Sequence, residues 1–170
     1  AAAFMADAYG RLTGKPAACL GTLGPGATNL ITGVADANMD RAPLIVLTGQ
    51  AATTRIHKES HQAMDLVALF APVVKWGTSV AHPDAIPEIV RKAFRLATTD
   101  KFGACHIDLP ENIAKMQTLA EPIAVVPFRA STPTTLKGMF FTRITWSTGG
   151  SPWKSASATV FPSTTVFVAE

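Results

Sequence analysis

The sequence predicts an α/β domain with a mostly parallel sheet and helices on both of its faces, followed by an irregular tail. Three short apolar runs bounded by Pro or Gly predict strands, and they cover residues 17–22, 44–48 and 104–109. The runs are continuously apolar, which is typical of strands buried on both faces of a parallel sheet. Segments with helical spacing lie between them. We therefore predict the domain over residues 1–130 and the irregular tail over residues 131–170.

A glycine turn follows the first predicted strand and leads from it towards a helix. Helices are predicted over residues 1–13 and 27–39, and Gly24-Pro25-Gly26 lies just before the second of them. Such a turn lets the backbone approach a ligand closely and directs amide N–H groups towards it. It does not fit a dinucleotide fingerprint, because Asn29 stands where the third glycine is required. A P-loop is excluded because no Ser or Thr follows Lys15. A tight turn without any ligand is the alternative at this point.

A third helix is predicted over residues 86–97, where apolar and charged residues separate onto two faces. Asp84 is positioned to cap its N-terminus, and Pro87 falls in the first turn, where the missing N–H is tolerated. The apolar face carries Ile86, Ile89, Val90, Ala93, Phe94 and Ala97. We expect this face to pack against the sheet.

The composition excludes several classes of protein. Hydrophobic residues make up 48% of the 170 residues and the net charge is only +3, so the chain is not disordered as a whole. Cys19 and Cys105 are far apart in sequence, which excludes a disulfide scaffold. No stretch of about 18 apolar residues occurs, so no membrane-spanning helix is predicted. Because no Lys/Arg cluster is interleaved with aromatic residues, no nucleic-acid partner is expected.

The tail differs in composition from the domain. Ser and Thr supply 15 of its 40 residues, and Glu170 is its only acidic residue. Gly149-Gly150-Ser151-Pro152 breaks any regular element, and the aromatic residues follow no period. We therefore expect an irregular extension, and a reading-frame shift near residue 135 would produce this change in composition. An aromatic-rich binding segment is the alternative.

Several motifs of the domain, taken in order, resemble the pyrimidine-binding domain of thiamine-diphosphate enzymes. The resemblance is closest to the acetolactate synthase large subunit family and covers about residues 1–125. His61 before Gln62 is more similar to the catabolic type than to the biosynthetic type. The resemblance ends near Thr135, where the family would begin its middle domain. The motifs cover residues 3–16, 24–29, 35–37, 43–50, 60–65, 69–75 and 107–113.

The resemblance implies that the domain binds the pyrimidine half of thiamine diphosphate. By this resemblance Gly24, Pro25, Gly26 and Asn29 hold the aminopyrimidine ring. A Gly-Pro-Gly turn offers a rigid backbone wall, and a short amide in the first helical turn can hydrogen-bond the edge of a heteroaromatic ring. In this family the ring lies between two subunits, which implies a homo-oligomer formed through the shared cofactor site.

The resemblance also implies two catalytic residues, Gln62 and Lys75. Gln62 is expected beside the reactive carbon of the cofactor, where a neutral amide stabilises negative charge on a carbonyl oxygen without titrating. Lys75 corresponds to a lysine that pairs with the carboxylate of a 2-oxo acid substrate such as pyruvate. The alternatives are an ordinary surface amide and a solvated lysine. Arg55 is not assigned, because the family's arginine aligns one position earlier, with Thr54.

The implied reaction is the condensation of 2-oxo acids to a 2-acetolactate. In this family a glutamate activates the cofactor, and by spacing it would stand two positions before Ala1. We therefore expect the fragment to be inactive alone, because losing a positioned proton-transfer group costs about 10²–10⁴-fold in rate. Mg²⁺ is expected on another domain, which carries a Gly-Asp-Gly signature. FAD is bound by many members through a middle domain, and nothing in this sequence supports it.

Two alternatives stay open beside an acetolactate synthase. One is another thiamine-diphosphate decarboxylase or a glyoxylate carboligase, which shares the Gly-Pro-Gly turn. The other is a non-catalytic remnant that only docks against a complete subunit. The residues do not distinguish a role in branched-chain amino acid biosynthesis from a catabolic role. Reduced cysteines favour a cytoplasmic location.

Other chemistry finds little support in the sequence. Residues 57–61 depart from the zinc-protease pattern, in which Glu directly follows the first His, so no metal site is predicted. Cys105 lies in an apolar run and is predicted to be a buried, inert thiol. Asp36 and Asp40 are one helical turn apart, and we expect them at a solvated helix end near Arg41.

Overall fold

The computed structural model describes residues 1–56, 58, 61–124, 157–161 and 164–168. The chain divides into two compact units, Ala1–Arg129 and Ala130–Glu170. The helices and strands of the first unit are, in chain order, α1 (Ala2–Thr13), β1 (Ala17–Gly21), α2 (Pro25–Thr28), α3 (Ile31–Met39), β2 (Leu44–Gln50), α4 (Leu66–Phe70), β3 (Trp76–Ser79), α5 (Ile86–Ala97), β4 (Ala104–Pro110) and α6 (Glu111–Ala114). Short 3₁₀ turns cover Thr53–Arg55, Ala71–Val73 and Pro83–Ala85.

The first unit is built on a four-stranded sheet with the order β1-β2-β4-β3. Every strand pair is parallel, and Leu44 of β2 pairs with Ala17 of β1 on one side and with Ala104 of β4 on the other. β3 joins the sheet at the outer side of β4, with Trp76 opposite Cys105. The α/β fold with a parallel sheet is therefore confirmed.

Helices cover both faces of the sheet, as the continuous apolar runs predict. In β2, Leu44 and Val46 belong to a core cluster that α1, α3 and α4 complete, whereas Ile45 belongs to a second cluster that α5 completes. Successive residues of a strand point to opposite faces, so an apolar run without alternation fills two cores at once. Leu44, Ile45 and Val46 are all almost fully buried.

α1 and α3 are held together by one arginine that reaches three carboxylates. The Arg11 guanidinium donates to Asp7 at 2.8 Å and to Asp36 at 2.9 Å, and it also bonds Asp40. These hydrogen bonds raise the pKa of Arg11 above its ordinary value. Asp36 and Asp40 lie exposed at the end of α3, as expected, and both carboxylates also bond Arg11 on the neighbouring helix, which the sequence did not predict.

α5 has the predicted bounds, Ile86–Ala97, but it begins differently from the prediction. The prediction that Asp84 caps this helix is wrong. A 3₁₀ turn at Pro83–Ala85 precedes the helix, and Asp84 lies inside that turn. The backbone N–H of Asp84 donates to the His82 ring at 3.3 Å, and its carboxylate accepts a hydrogen bond from Thr118.

Other elements differ from the expectation in detail. The helix predicted over residues 27–39 is divided into α2 and α3, which are separated at Asn29 and Leu30. β3 and α4 were not predicted. β3 is short, contains Gly77 and lies at an edge of the sheet, so it lacks the continuous apolar pattern of the other strands.

In the second unit the structure describes two strands, β5 (Ser157–Phe161) and β6 (Thr164–Val168), which pair in antiparallel fashion. No regular element was predicted in the tail from the sequence. Both segments are rich in Thr, Val and Phe, which favour strands even without a clear alternation. The rest of the expected irregular tail, including residues 131–156, lies outside the described residues.

No helix among the described residues is long and apolar enough to span a membrane.

Candidate functional site

The glycine turn lies at the carboxyl edge of the sheet, directly after β1. Gly24 begins α2 with φ +59° and ψ −123°, a backbone conformation that essentially only glycine adopts without strain. The next residue, Pro25, occupies the first turn of α2 and is exposed, as is Asn29 at the end of this helix. Gly26 is half-buried. Pro25 and Asn29 therefore face solvent at one edge of the sheet.

The structure brings Gln62 onto this turn from a distant part of the chain. A Cβ at Gly24 would lie only 2.7 Å from the Gln62 Cβ and 3.2 Å from the Gln62 carbonyl oxygen. Gln62 also has a left-handed backbone, with φ +59°, and is exposed. Only a residue without a side chain allows this approach, so Gly24 is required here both for its conformation and for its size.

The surface formed by these residues is neutral. Pro25 supplies a rigid apolar ring, and the side-chain amides of Asn29 and Gln62 supply donors and acceptors that do not titrate. Such a combination suits an uncharged, flat heteroaromatic group with polar atoms at its edge. The exposure of Pro25 and Asn29 shows that the turn is not sealed inside the domain.

The segment that carries Gln62 is anchored to the sheet by a buried glutamine. Gln50 is the last residue of β2, and its side-chain nitrogen donates to the Met64 carbonyl oxygen at 2.8 Å. The same nitrogen lies 3.5 Å from Asp108 Oδ2, and the Gln50 Oε1 atom accepts from the Ala51 N–H at 2.9 Å. Gln50 is only 5% exposed. Its amide thus links strand β2 to the loop that contains Gln62.

Asp108 belongs to a buried polar network on the same face of the sheet. It is 2% exposed, and the Thr48 hydroxyl donates to its Oδ1 atom at 2.8 Å. Burial raises the pKa of Asp108, while hydrogen bonds from Thr48, Ser79 and Gln50 oppose this rise. Burial is the larger effect, because a carboxylate is stabilised far better by water than by a protein interior.

The other end of this network is His106, which is fully buried and stacks on Phe70 with ring centroids 4.3 Å apart. Its Nε2 atom is 2.8 Å from the Thr48 hydroxyl oxygen. Because that hydroxyl donates to Asp108, Nε2 carries the proton and Nδ1 does not. Nδ1 has no hydrogen-bond partner among the described residues. Burial lowers the pKa of His106 to about 4.

Lys75 lies at the opposite edge of the sheet from the glycine turn. It directly precedes β3, and in a parallel sheet the amino ends of the strands share one edge while the carboxyl ends share the other. The Lys75 ammonium donates to the carbonyl oxygens of Leu96 at 2.6 Å, Thr99 at 2.9 Å and Lys101 at 2.7 Å. Leu96 lies in the last turn of α5 and the other two residues follow the helix, so the ammonium ties the C-terminal end of α5, where a cation is favoured, to the loop after it. The structure does not bring Lys75 and Gln62 together.

The remaining sequence predictions concern the cysteines and the segment around His57. Cys19 and Cys105 are buried free thiols, and burial raises the pKa of each to about 11. Such thiols are poor nucleophiles near neutral pH. His57 and Glu59 lie outside the described residues, and the residues that are described contain no group of His, Cys, Asp and Glu suited to a metal ion.

Sequence reasoning missed the anchoring role of Gln50. The residue falls inside a motif that resembles the family, but its partners, Met64 and Asp108, are distant in sequence. One signal could have indicated it: a polar residue at the end of a continuously apolar strand must find hydrogen-bond partners if the strand is buried.

Comparisons with known proteins agree with the motifs. The family described as thiamine pyrophosphate enzyme, N-terminal TPP binding domain, matches residues 1–69. The chain is 46% identical over 117 residues to a probable acetolactate synthase large subunit of Methanococcus aeolicus, covering 69% of this chain and 20% of the relative. It is 41% identical over 125 residues to an acetolactate synthase of Bacillus subtilis (strain 168), covering 74% of this chain and 22% of that protein.

A third relative is the acetolactate synthase isozyme 3 large subunit of Escherichia coli (strain K12), which is 46% identical over 113 residues, 66% of this chain and 20% of the relative. The resemblance that the motifs predicted is therefore confirmed, and residues 1–69 match the N-terminal domain of the thiamine pyrophosphate enzyme family. The chain spans about a fifth of the length of the relatives that it matches.

Proposed function

We propose that the first unit of this chain forms the pyrimidine-binding half of a thiamine diphosphate site in an acetolactate synthase. The observation that carries the proposal is the contact of Gln62 with Gly24, beside the exposed Pro25 and Asn29. A glycine at which no side chain fits, a rigid proline and two neutral amides form a surface that fits an aminopyrimidine ring.

Each residue has a distinct part in this proposal. Gly24, Pro25 and Gly26 form the wall against which the ring lies, and Asn29 hydrogen-bonds its edge. When bound, thiamine diphosphate supplies a nucleophilic carbon that adds to the carbonyl of a 2-oxo acid. Gln62 donates from its amide to the oxygen that gains negative charge in that addition, and it does so at any pH because the amide does not titrate.

The role of Lys75 as a partner for the substrate carboxylate stays a prediction. Its ammonium has one carbonyl partner in the last turn of α5 and two in the loop that follows, which supports a structural role for the residue in this chain. A substrate role would require the ammonium to leave these partners. We therefore base the proposed site on the glycine turn and Gln62.

The proposal includes a second subunit. α1 exposes several large apolar side chains to solvent, among them Met5 at 67% and Leu12 at 87% exposure, together with Phe4 and Tyr9. Exposed apolar residues grouped on one helix indicate a contact surface. We infer that this surface meets another copy of the chain or a complete subunit, and that Mg²⁺ and the diphosphate are held by a partner domain. The two free thiols support a cytoplasmic location.

The test is a titration of thiamine diphosphate into the ¹⁵N-labelled chain, alone and mixed with a separately expressed diphosphate-binding domain of a relative. We expect saturable shifts of the Gly24 and Asn29 signals in the mixture, and no turnover of pyruvate by the chain alone. The same titration is carried out with Gln62→Ala and with the control variant Gln117→Ala, which removes an exposed amide elsewhere. A mixture in which thiamine diphosphate moves none of these signals contradicts the proposal.

A non-catalytic module that docks against a complete subunit is the second candidate. The observation that favours it is the group of exposed apolar side chains on α1, which fits a contact surface whether or not a cofactor is bound. Sedimentation velocity of the chain mixed with a complete relative distinguishes the two. Complex formation without saturable binding of thiamine diphosphate supports docking alone.

A further inference from the structure

We propose that Gln50 is the positioning residue that holds Gln62 against the glycine turn, acting through the Met64 backbone and braced by Asp108. The inference rests on the proposed function and extends it, because it names the residue that positions Gln62. Nothing in the motifs or in the names of the relatives assigns this role to Gln50.

The Gln50 side chain is fixed in place by its hydrogen bonds. It is 5% exposed, so its amide must be paired inside the protein, and each polar atom has a partner. Oε1 accepts from the Ala51 N–H at 2.9 Å, which sets the orientation of the amide, and Nε2 then points to Met64 and Asp108. A flip of the amide would place its oxygen against the Met64 carbonyl and the Asp108 carboxylate, both of which are acceptors.

Gln50 ties the loop to the sheet between Gln62 and α4. The segment from Gln62 to Asp65 precedes α4, and the Asp65 carboxylate accepts from the Ala68 N–H at 2.9 Å to start that helix. Between these points the Gln50–Met64 hydrogen bond ties the loop to the sheet. Gln62 itself has a left-handed backbone, which is unfavourable for a residue with a side chain unless its surroundings impose it.

The Gln50–Met64 hydrogen bond lies close enough in the chain to act on the glycine turn. Met64 is two residues from Gln62, and Gln62 touches Gly24 so closely that no side chain fits between them. A shift of the loop of about 1 Å would open this contact and move the Gln62 amide away from a ligand on the turn. Displacements of that size commonly cost about 10²-fold in catalysis.

The experiment uses the ¹⁵N-labelled full chain without ligand, so it stands whether or not thiamine diphosphate binds. Gln50→Met keeps the shape of the side chain but removes the donor. We expect changed amide shifts at Gly24 and Gln62, and hydrogen exchange about tenfold faster at Gln62, the factor that one lost hydrogen bond gives. Phe94→Leu, which perturbs the core under α5 on the other face, is the control for a general loss of stability and is expected to leave both signals in place.

Gln50→Glu adds a second test, the pH dependence of the Gly24 and Gln62 signals, which a general structural role of Gln50 would not change. A protonated glutamate can donate to the Met64 carbonyl as the amide does, whereas a carboxylate cannot and is repelled by Asp108. The nearby ionisable groups in the described part of the chain are Asp108 on β4, Asp65, whose charge acts on Asp108, and His106, which reaches Asp108 through Thr48. We expect the Gly24 and Gln62 signals of this variant to move towards the wild-type positions as the pH falls, while the same signals of Gln50→Met do not.

Two results would overturn the proposal: unchanged Gly24 and Gln62 signals in folded Gln50→Met, or equal changes in Phe94→Leu. If Gln50→Met does not fold, the pH titration of Gln50→Glu decides, and the absence of a return towards wild type refutes the anchor. In a separate arm, thiamine diphosphate is titrated into wild type and Gln50→Glu in the presence of the diphosphate-binding domain. No binding to wild type counts against the proposed function alone, whereas equal binding to both at neutral pH counts against the anchor.

Discussion

The close approach of Gln62 to Gly24 predicts that Gly24→Ala is far more costly than an ordinary glycine substitution. The backbone at Gly24 has φ +59° and ψ −123°, where a side chain adds about 1–3 kcal/mol of strain. The new methyl group would also lie 2.7 Å from the Gln62 Cβ, and overpacking of this kind costs about 1–3 kcal/mol. Together these costs give a loss of about 2–6 kcal/mol in the free energy of unfolding.

Gly14→Ala is the matched control, because it separates conformational strain from crowding. Gly14 ends α1 with φ +65°, and a Cβ there would meet nothing within 4 Å. Only the left-handed backbone is penalised in this variant, by about 1–2 kcal/mol. The free energy of unfolding of both variants is measured by urea titration followed by circular dichroism. If it depends on urea concentration with the same slope in both, the compactness of the folded and unfolded states is unchanged.

The double variant Gly24→Ala/Gln62→Gly completes the test. Removing the Gln62 side chain leaves room for the new methyl group, so the two substitutions together should cost less than their sum by about 1–3 kcal/mol. The reasoning is refuted if Gly24→Ala costs no more than Gly14→Ala, or if the two effects simply add. Either result would mean that Gln62 does not rest on the turn.

Three further predictions concern other parts of the domain. Lys75→Met removes one hydrogen bond in the last turn of α5 and two in the loop after it, and it should lower the unfolding free energy by roughly 1–2 kcal/mol. Lys15→Met, measured in the same urea titration, should change the unfolding free energy little. Burial lowers the pKa of His106 from 6.5 to about 4, so the folded protein binds this proton less readily than the unfolded chain does. The free energy of unfolding should therefore fall by about 3 kcal/mol as the pH falls from 6.5 towards 4. The urea midpoint of His106→Gln should fall less steeply over this pH range. Cys19 and Cys105 should react with a thiol reagent only after urea is added, and rapid labelling of the native protein would contradict their burial.

The sequence predicted the parts of the fold that follow from local composition. Leu44–Gln50 and Ala104–Pro110 are buried on both faces, so their apolar runs are continuous and easy to recognise. In α5 the apolar and charged residues lie on two separate faces, so both ends of the helix were predicted correctly. β3 was not predicted because an edge strand needs fewer apolar residues. The prediction that Asp84 caps α5 was wrong because Asp84 lies in the 3₁₀ turn before the helix.

The candidate site was predictable only as separate motifs. Gly24 and Gln62 each stood out in the sequence, but their contact depends on how the loop before α4 crosses the carboxyl edge of the sheet. Lys75 was grouped with Gln62 by resemblance, whereas the strand it precedes places it at the other edge. Gln50 was not singled out, because its hydrogen bonds span 14 and 58 positions in the chain.

The order of the strands has a consequence for synthesis of the protein. β4 lies between β2 and β3 in the sheet, yet it is the last of the four to leave the ribosome. Until residues 104–110 emerge, one side of β2 and the whole of β3 lack their pairing partner. The nascent chain therefore exposes unpaired strand edges, which can pair with other chains and aggregate. Gln50 likewise lacks Asp108 during this interval, so its side chain gains its full set of hydrogen bonds only after residues 104–110 have been synthesised.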